Sequence, residues 1–344
     1  MTDLRDYPAY EAGKPPQWYR YHEEVGYLDE LEKIWGKKWG AQGIGKLREV
    51  AVVRPTDVEV LPLYDEDPNY FLMHTEKPNL EIMQEQHDNL VSLYKKEGIK
   101  VRYMEFPEQP KGPYGPLKRS ISAAAGFVIN GGAIIPREAT PYWRGRSKYV
   151  AQYLMGLGCP ILYTVHGYGV CEVGAFKRMT DDFIIGMLSP DVNQEGLDQV
   201  IPVLERSGYK EILINHTPGL LNNYYPDIVG WIHADMFIAP VDVRLALIYP
   251  PWCDYGVIRR LMELKYRLIE VPKDEATVGF ACNAYPLEPG RLLIAEGCPE
   301  TVKALRKEKV DVIEVPYDEV IKYGGALHCT TMQLIRDEGP RLFD

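Results

Sequence analysis

Cys329 follows a paired glycine in the stretch Tyr323-Gly-Gly-Ala-Leu-His-Cys-Thr-Thr-Met-Gln-Leu334. Gly324 and Gly325 allow positive φ and leave room for a ligand to approach the backbone closely. A thiol just after such a turn can point into a cleft. Cysteine is the strongest neutral-pH nucleophile among the side chains once its pKa is lowered. Standing alone, Cys329 reads as a small buried hydrophobe, as most free cysteines are. A second stretch, Trp231-Ile-His-Ala-Asp-Met-Phe237, shifts that balance. Strand alternation predicts His233 and Asp235 on one face. A His–Asp pair in an apolar run is costly unless it has partners or work to do.

In their order, spacing and the late position of the cysteine, the two segments resemble the guanidino-group-modifying superfamily. That family contains arginine deiminases, dimethylarginine dimethylaminohydrolases and amidinotransferases. The resemblance runs from about Lys46 to the C-terminus and rests on the His-x-Asp and Gly-Gly-x-x-His-Cys-type motifs. It implies a five-bladed α/β propeller, no cofactor and no metal. It implies that Cys329 attacks the sp² carbon of a guanidine or related amidine to form a covalent adduct. His233 then serves as general acid and afterwards as base, and Asp235 accepts hydrogen bonds from substrate nitrogens.

Two departures from the family pattern bear on the substrate. Val170-Cys-Glu-Val-Gly-Ala175 is similar to the family's Glu-Gly-Gly-Asp motif, but Val173 and Ala175 replace its second and last positions. Glu172 is kept; it either orients His233 or is a solvated carboxylate at a strand end. The family's Arg-Asp pair aligns with Arg119-Ser120, so Ser120 stands where a carboxylate would grip a guanidinium. Loss of both acids argues against plain L-arginine. It leaves room for a neutral heterocycle such as 2-nitroimidazole, with nitrite as the leaving group. An amidinotransferase, or a binding protein that kept the fold without catalysis, are the alternatives.

His166, in the loop Val165-His-Gly-Tyr-Gly169, and Gly325 complete the expected substrate-binding set; a loop histidine is more often merely exposed. His328 is expected to be structural, facing away from Cys329. Arg144 and Arg146 either meet a substrate carboxylate or are ordinary solvated charges.

The elements that must position these residues show a repeating rhythm. Residues 1–45 read as an N-terminal extension with a short helix over 28–35, and residues 46–344 as one catalytic domain. Helices are predicted over 79–97, 146–157, 196–207, 255–264 and 300–308, each followed by a strand. Strands are also predicted over 49–54, 169–176, 183–187, 229–238, 244–249, 277–281 and 291–295, with a hairpin turning at Asn130-Gly131-Gly132. Tyr103-Met-Glu-Phe-Pro107, Leu268-Ile-Glu-Val-Pro272 and Val312-Ile-Glu-Val-Pro316 echo one another after their helices. Such echoes imply a repeated unit, about five strand–strand–helix–strand modules; a doubly wound α/β sheet is the alternative.

Composition narrows the class. Of 344 residues 46% are hydrophobic, enough for a sizeable core. A net charge of −10 argues against nucleic acid as a partner, since phosphates want clustered Lys and Arg. No apolar run suggests a membrane span, and the N-terminus has no secretory signal, so a cytoplasmic location is expected. The six cysteines lack metal-site spacing and are expected as free thiols. A small-molecule substrate and a homo-oligomer are expected.

Overall fold

The computed structural model describes residues 3–6, 10–15, 25–56, 78–106, 111–112, 115–116, 126–139, 143–216, 233–322 and 324–343. Its strands are β1 (Leu47–Val52), β2 (Lys100–Tyr103), β3 (Lys111–Gly112), β4 (Gly115–Pro116), β5 (Phe127–Ile129) and β6 (Gly132–Ile135). They continue as β7 (Ile161–Thr164), β8 (Lys177–Arg178), β9 (Phe183–Leu188), β10 (Glu211–His216), β11 (Ile238–Asp242) and β12 (Leu245–Ile248). The last are β13 (Arg267–Glu270), β14 (Tyr285–Glu288), β15 (Arg291–Ala295), β16 (Asp311–Val315) and β17 (Met332–Arg336).

Among the described residues these strands form five three-stranded sheets, with β3 and β4 paired apart from them. The sheets are β5-β6-β7, β8-β9-β10, β11-β12-β13, β14-β15-β16 and β17-β1-β2. In each, the middle strand runs antiparallel to the first strand and parallel to the last. A parallel step requires a crossover, and in every sheet a helix supplies it. These helices are Leu80–Lys96, Arg146–Gly156, Gln194–Ser207, Tyr255–Glu263 and Pro299–Lys307. The molecule is thus a mixed α/β fold of one repeated unit, and the doubly wound alternative is set aside. The echoing Glu-containing segments belong to, or directly follow, the parallel third strands β2, β13 and β16.

Local chemistry explains the helix ends. Asn79, Asn193 and Asp254 cap their helices by accepting hydrogen bonds from first-turn amides. Gly208 ends one helix in the left-handed conformation. The middle strands are buried almost throughout, so they read as continuous apolar runs rather than alternating ones. The main core runs across all five sheets.

Three predicted strands are corrected. The 169–176 stretch contains an isolated bridge at Cys171 and a 3₁₀ turn Val173–Ala175, and its strand begins only at Lys177. Of 229–238, residues 229–232 lie outside the described residues, and the rest is a 3₁₀ turn Ala234–Met236 leading into β11. The 277–281 stretch lies between a short helix, Lys273–Thr277, and the 3₁₀ turn Ala281–Asn283; the strand is β14. In each case short-range backbone turns replace a continuous ladder. The expected helix near 28–35 is present as Tyr27–Trp35. Behind it Trp39 is buried and Gly40 bridges to β17, so this part of the N-terminal segment is packed into the body. No described helix is long and apolar enough to cross a membrane.

Candidate active site

Cys329 sits in a turn just before β17, and two hydroxyl contacts pin that turn from its far side. Thr330 Oγ1 meets the Tyr317 hydroxyl at 2.9 Å, and Thr331 Oγ1 meets the Tyr94 hydroxyl at 2.9 Å. Gly324 takes φ +93°, while Gly325 serves by its lack of a side chain. A Cβ on Gly325 would lie 3.0 Å from the Cys329 Cβ and 3.5 Å from its sulfur.

Asn283 holds the thiol. Its Nδ2 donates to Cys329 Sγ at 3.1 Å, and its Oδ1 accepts from the amides of His328 (2.9 Å) and Cys329 (3.2 Å). The thiol in turn donates to Asp235 Oδ2 at 3.3 Å. Burial and the Asp235 charge push the Cys329 thiol well above its ordinary range. The thiol is therefore the resting form.

Asp235 is fully buried, and its Oδ2 also accepts from His328 Nδ1 at 2.7 Å. Burial opposes its charge, but His328, His233 and Lys177 outweigh that and keep the carboxylate ionised far below the usual range. Asp235 Oδ1 is buried without a hydrogen-bond partner. His328 takes the opposite course. Burial and Lys177 bring it down to about 4 against the pull of Asp235, so it is a neutral imidazole at pH 7. His328 is thus a buried partner of Asp235, directed at the site rather than away from it.

His233 is the N-cap of the 3₁₀ turn that carries Asp235. Its Nε2 lies 3.4 Å from Glu172 Oε2 and 3.8 Å from Asp191 Oδ2. Burial works against its charge, yet Glu172, Asp191 and Asp235 lift the imidazole to about 9. It is an imidazolium at neutral pH. Gly174 makes the approach possible, since a Cβ there would come within 2.4 Å of His233 Nδ1. Glu172 is buried rather than solvated, and its Oε1 accepts from the Ala139 amide at 2.8 Å. Arg144 donates to the carbonyls of Glu138 and Ala139, and Arg146 pairs with the buried Glu138. The two arginines therefore brace the segment that seats Glu172 and are not free surface charges.

The structure brings Cys329, Asp235 and Gly325 together, and sets His233 with Glu172 against the same Asp235. His166 is exposed and bonded to Tyr163 (3.1 Å) and, through its amide, Gln199 (3.0 Å); no hydrogen bond joins it to this group. Ser120 lies outside the described residues. Ala175, in the place of the family's acid, is buried. Among the described residues no three His, Cys, Asp or Glu side chains are grouped to hold a metal ion. Asn283, Asp191 and Gly174 are missed by sequence reasoning. The amide inside the apolar run Phe280-Ala-Cys-Asn-Ala-Tyr285 is a usable signal for Asn283; Asp191, in a loop, has none.

A cysteine-centred group of His, Asp and Glu on a repeated α/β unit defines the class. The same fold is seen in a dimethylarginine dimethylaminohydrolase from Pseudomonas aeruginosa complexed with citrulline, at TM-score 0.67 and 18% identity, covering 84% of this chain and 99% of that one. It is also seen in an amidinotransferase of the saxitoxin biosynthetic pathway from Microseira wollei, at TM-score 0.68 and 16% identity, covering 87% and 97%. No protein-family model matches the chain. A 2-nitroimidazole nitrohydrolase from Mycobacterium sp. (strain JS330) is 30% identical over 356 residues, 99% of this chain and 94% of the relative. The chain belongs to the family of this 2-nitroimidazole nitrohydrolase and has the fold seen in guanidino-group-modifying enzymes.

Proposed function

We propose that the chain is a cysteine-dependent hydrolase that cleaves a neutral nitro-substituted heterocycle of the 2-nitroimidazole kind, with Cys329 as nucleophile. The relative's activity, carried over 99% of the chain, supports the substrate class. The observation that carries the mechanism is the Cys329 sulfur held between the Asn283 amide and Asp235, the carboxylate that also feels the His233 charge. The five sheets are read as the blades of a five-bladed α/β propeller, with the Cys329 group at the blade ends.

The reactive form is a thiolate paired with the His233 imidazolium, the thiol proton having left to solvent. The thiolate attacks the ring carbon bearing the nitro group and forms a C–S bond. Nitrite leaves with the C–N bonding pair and needs no proton, unlike an amine. His233, held by Glu172, faces the charge developing on the ring and then gives its proton to solvent. As a neutral base it next takes a proton from water, which attacks the same carbon. The C–S bond breaks, the thiolate and imidazolium are restored, and the ring keeps the oxygen as its keto tautomer. The sum is substrate plus water giving the hydroxylated ring, nitrite and one proton.

Asp235 and Glu172 are already engaged, Asp235 by His328 and Cys329, Glu172 by Ala139 and His233. Asp235 Oδ1 and Asp191 Oδ2 are acceptors without a hydrogen bond, and Asp191 Oδ2 already lies 3.8 Å from the His233 imidazolium, with which a guanidinium would compete. The purified protein is therefore expected to release nitrite from 2-nitroimidazole and to turn over L-arginine poorly. Ammonia release from L-arginine with a higher kcat/KM than nitrite release from the heterocycle would overturn this reading. Product formation only in the presence of an acceptor amine would make the protein a transferase instead.

A further inference from the structure

β8 puts a lysine inside the protein. Lys177 is 1% exposed and ranks among the largest fully buried side chains. Successive strand residues face opposite ways. Its neighbour Arg178 donates to the Val128 carbonyl at 3.1 Å and lies over the Phe127 ring at 4.0 Å. Lys177 turns to the other side, where its Nζ donates to the Ala284 carbonyl at 3.5 Å. Ala284 directly follows Asn283, the residue that grips the Cys329 sulfur and the Asp235 carbonyl.

The ammonium is poorly satisfied by what surrounds it. Among the described residues that carbonyl is its one hydrogen-bond partner, and no carboxylate lies within ion-pair distance. A buried charge so thinly partnered is expensive. The charged or ionisable groups it faces are Asp235, Cys329 and Cys282, with Arg178 as a like charge. Burial brings the ammonium down to about 8, but Asp235, Cys329 and Cys282 keep it largely protonated at neutral pH. A fixed cation beside a thiol favours the thiolate. The same cation repels any substrate that carries its own positive charge.

We propose that Lys177 is a specificity-determining positioning residue: its buried ammonium, set behind the Asn283–Asp235–Cys329 group, favours the thiolate for uncharged substrates and rejects guanidinium-type ones. This rests on the neutral-substrate reading above and deepens it. A cationic substrate would bring the charge that stabilises the thiolate, whereas a neutral heterocycle brings none, so the protein must supply it.

The test alkylates Cys329 in the full-length protein and follows it by peptide mass spectrometry across pH. Neutral 2-chloroacetamide is compared with cationic 2-chloroacetamidine. The wild type is expected to react faster with the neutral reagent. Lys177→Met should move the pH midpoint of Cys329 up by about one unit, slowing the neutral reagent about tenfold below it. The cationic reagent should be slowed less, so the preference falls by a similar factor. Lys177→Arg, which keeps the charge, should keep the preference. An unchanged midpoint and ratio in Lys177→Met overturn the proposal. So does a wild type that prefers the cationic reagent, a result that needs no variant to fold. Nitrite release is assayed separately. If the wild type releases none while its preference for the neutral reagent depends on Lys177, the nitro substrate is wrong and the role of Lys177 stands.

Discussion

His233 and His328 are both histidines next to buried carboxylates, and they end in opposite charge states. His233 meets two acids, Glu172 and Asp191, and holds its proton to about pH 9. His328 meets one acid, Asp235, and also feels Lys177, so it stays neutral down to about pH 4. The difference teaches that burial alone does not set the role. The balance of charges does: the carboxylates of Glu172, Asp191 and Asp235 keep His233 protonated, while one carboxylate opposed by Lys177 leaves His328 neutral.

The comparison can be broken most severely at the sulfur that both histidines serve. Cys329→Ser should fold normally and lose about a thousandfold or more in kcat, because a hydroxyl has no thiolate-like population at neutral pH. Residual activity above about a tenth of the original would sink the covalent route.

Next come the histidines themselves. His233→Asn should cost about 10²- to 10⁴-fold, the usual range for a lost acid–base group. Quenched samples should then show a mass adduct on Cys329, since water activation fails after attack. His328→Asn should cost only on the order of tenfold, the worth of one hydrogen bond to Asp235, and should trap no adduct. If the two variants behaved alike, the division between acid and anchor would be wrong.

The smallest effect is on stability. The folded His233 lies above its unfolded value of about 6.5. Its stabilising contribution is full below pH 6.5 and fades as pH rises through about 9. The folded His328 lies below that value. Its contribution is full above pH 6.5 and fades as pH falls through about 4. Melting curves should therefore slope down on both sides of neutrality. His233→Gln should flatten the alkaline side and His328→Gln the acid side, by a few degrees in Tm. Parallel profiles for the two variants would contradict the assigned charges.

Much of the repeat was legible because helix periodicity, caps and turn glycines are local. The hairpin at Asn130–Gly131, the helix capped by Asn79 and the parallel strands after each helix all follow from neighbours in sequence. The site was legible only as residue types. Strand alternation was the wrong frame for His233 and Asp235, whose 3₁₀ turn is dictated by partners distant in sequence: Glu172, Asp191, His328 and Cys329. Gly174 carried a readable constraint, room for a ring, but the identity of that ring was not local. Lys177 was invisible, because a lysine in a short strand reads as surface until the fold encloses it.

β17 completes the sheet begun by β1, and Cys329 lies just ahead of it. During synthesis β1 must wait for its antiparallel neighbour until β17 has been made. The thiol's turn is tied down by hydroxyls of Tyr94 and Tyr317, and its β-strand continuation is what completes the sheet of β1 and β2. A nascent or prematurely ended chain therefore carries no assembled nucleophile. The turn that carries the thiol is thus set in the same step that pairs β17 with β1.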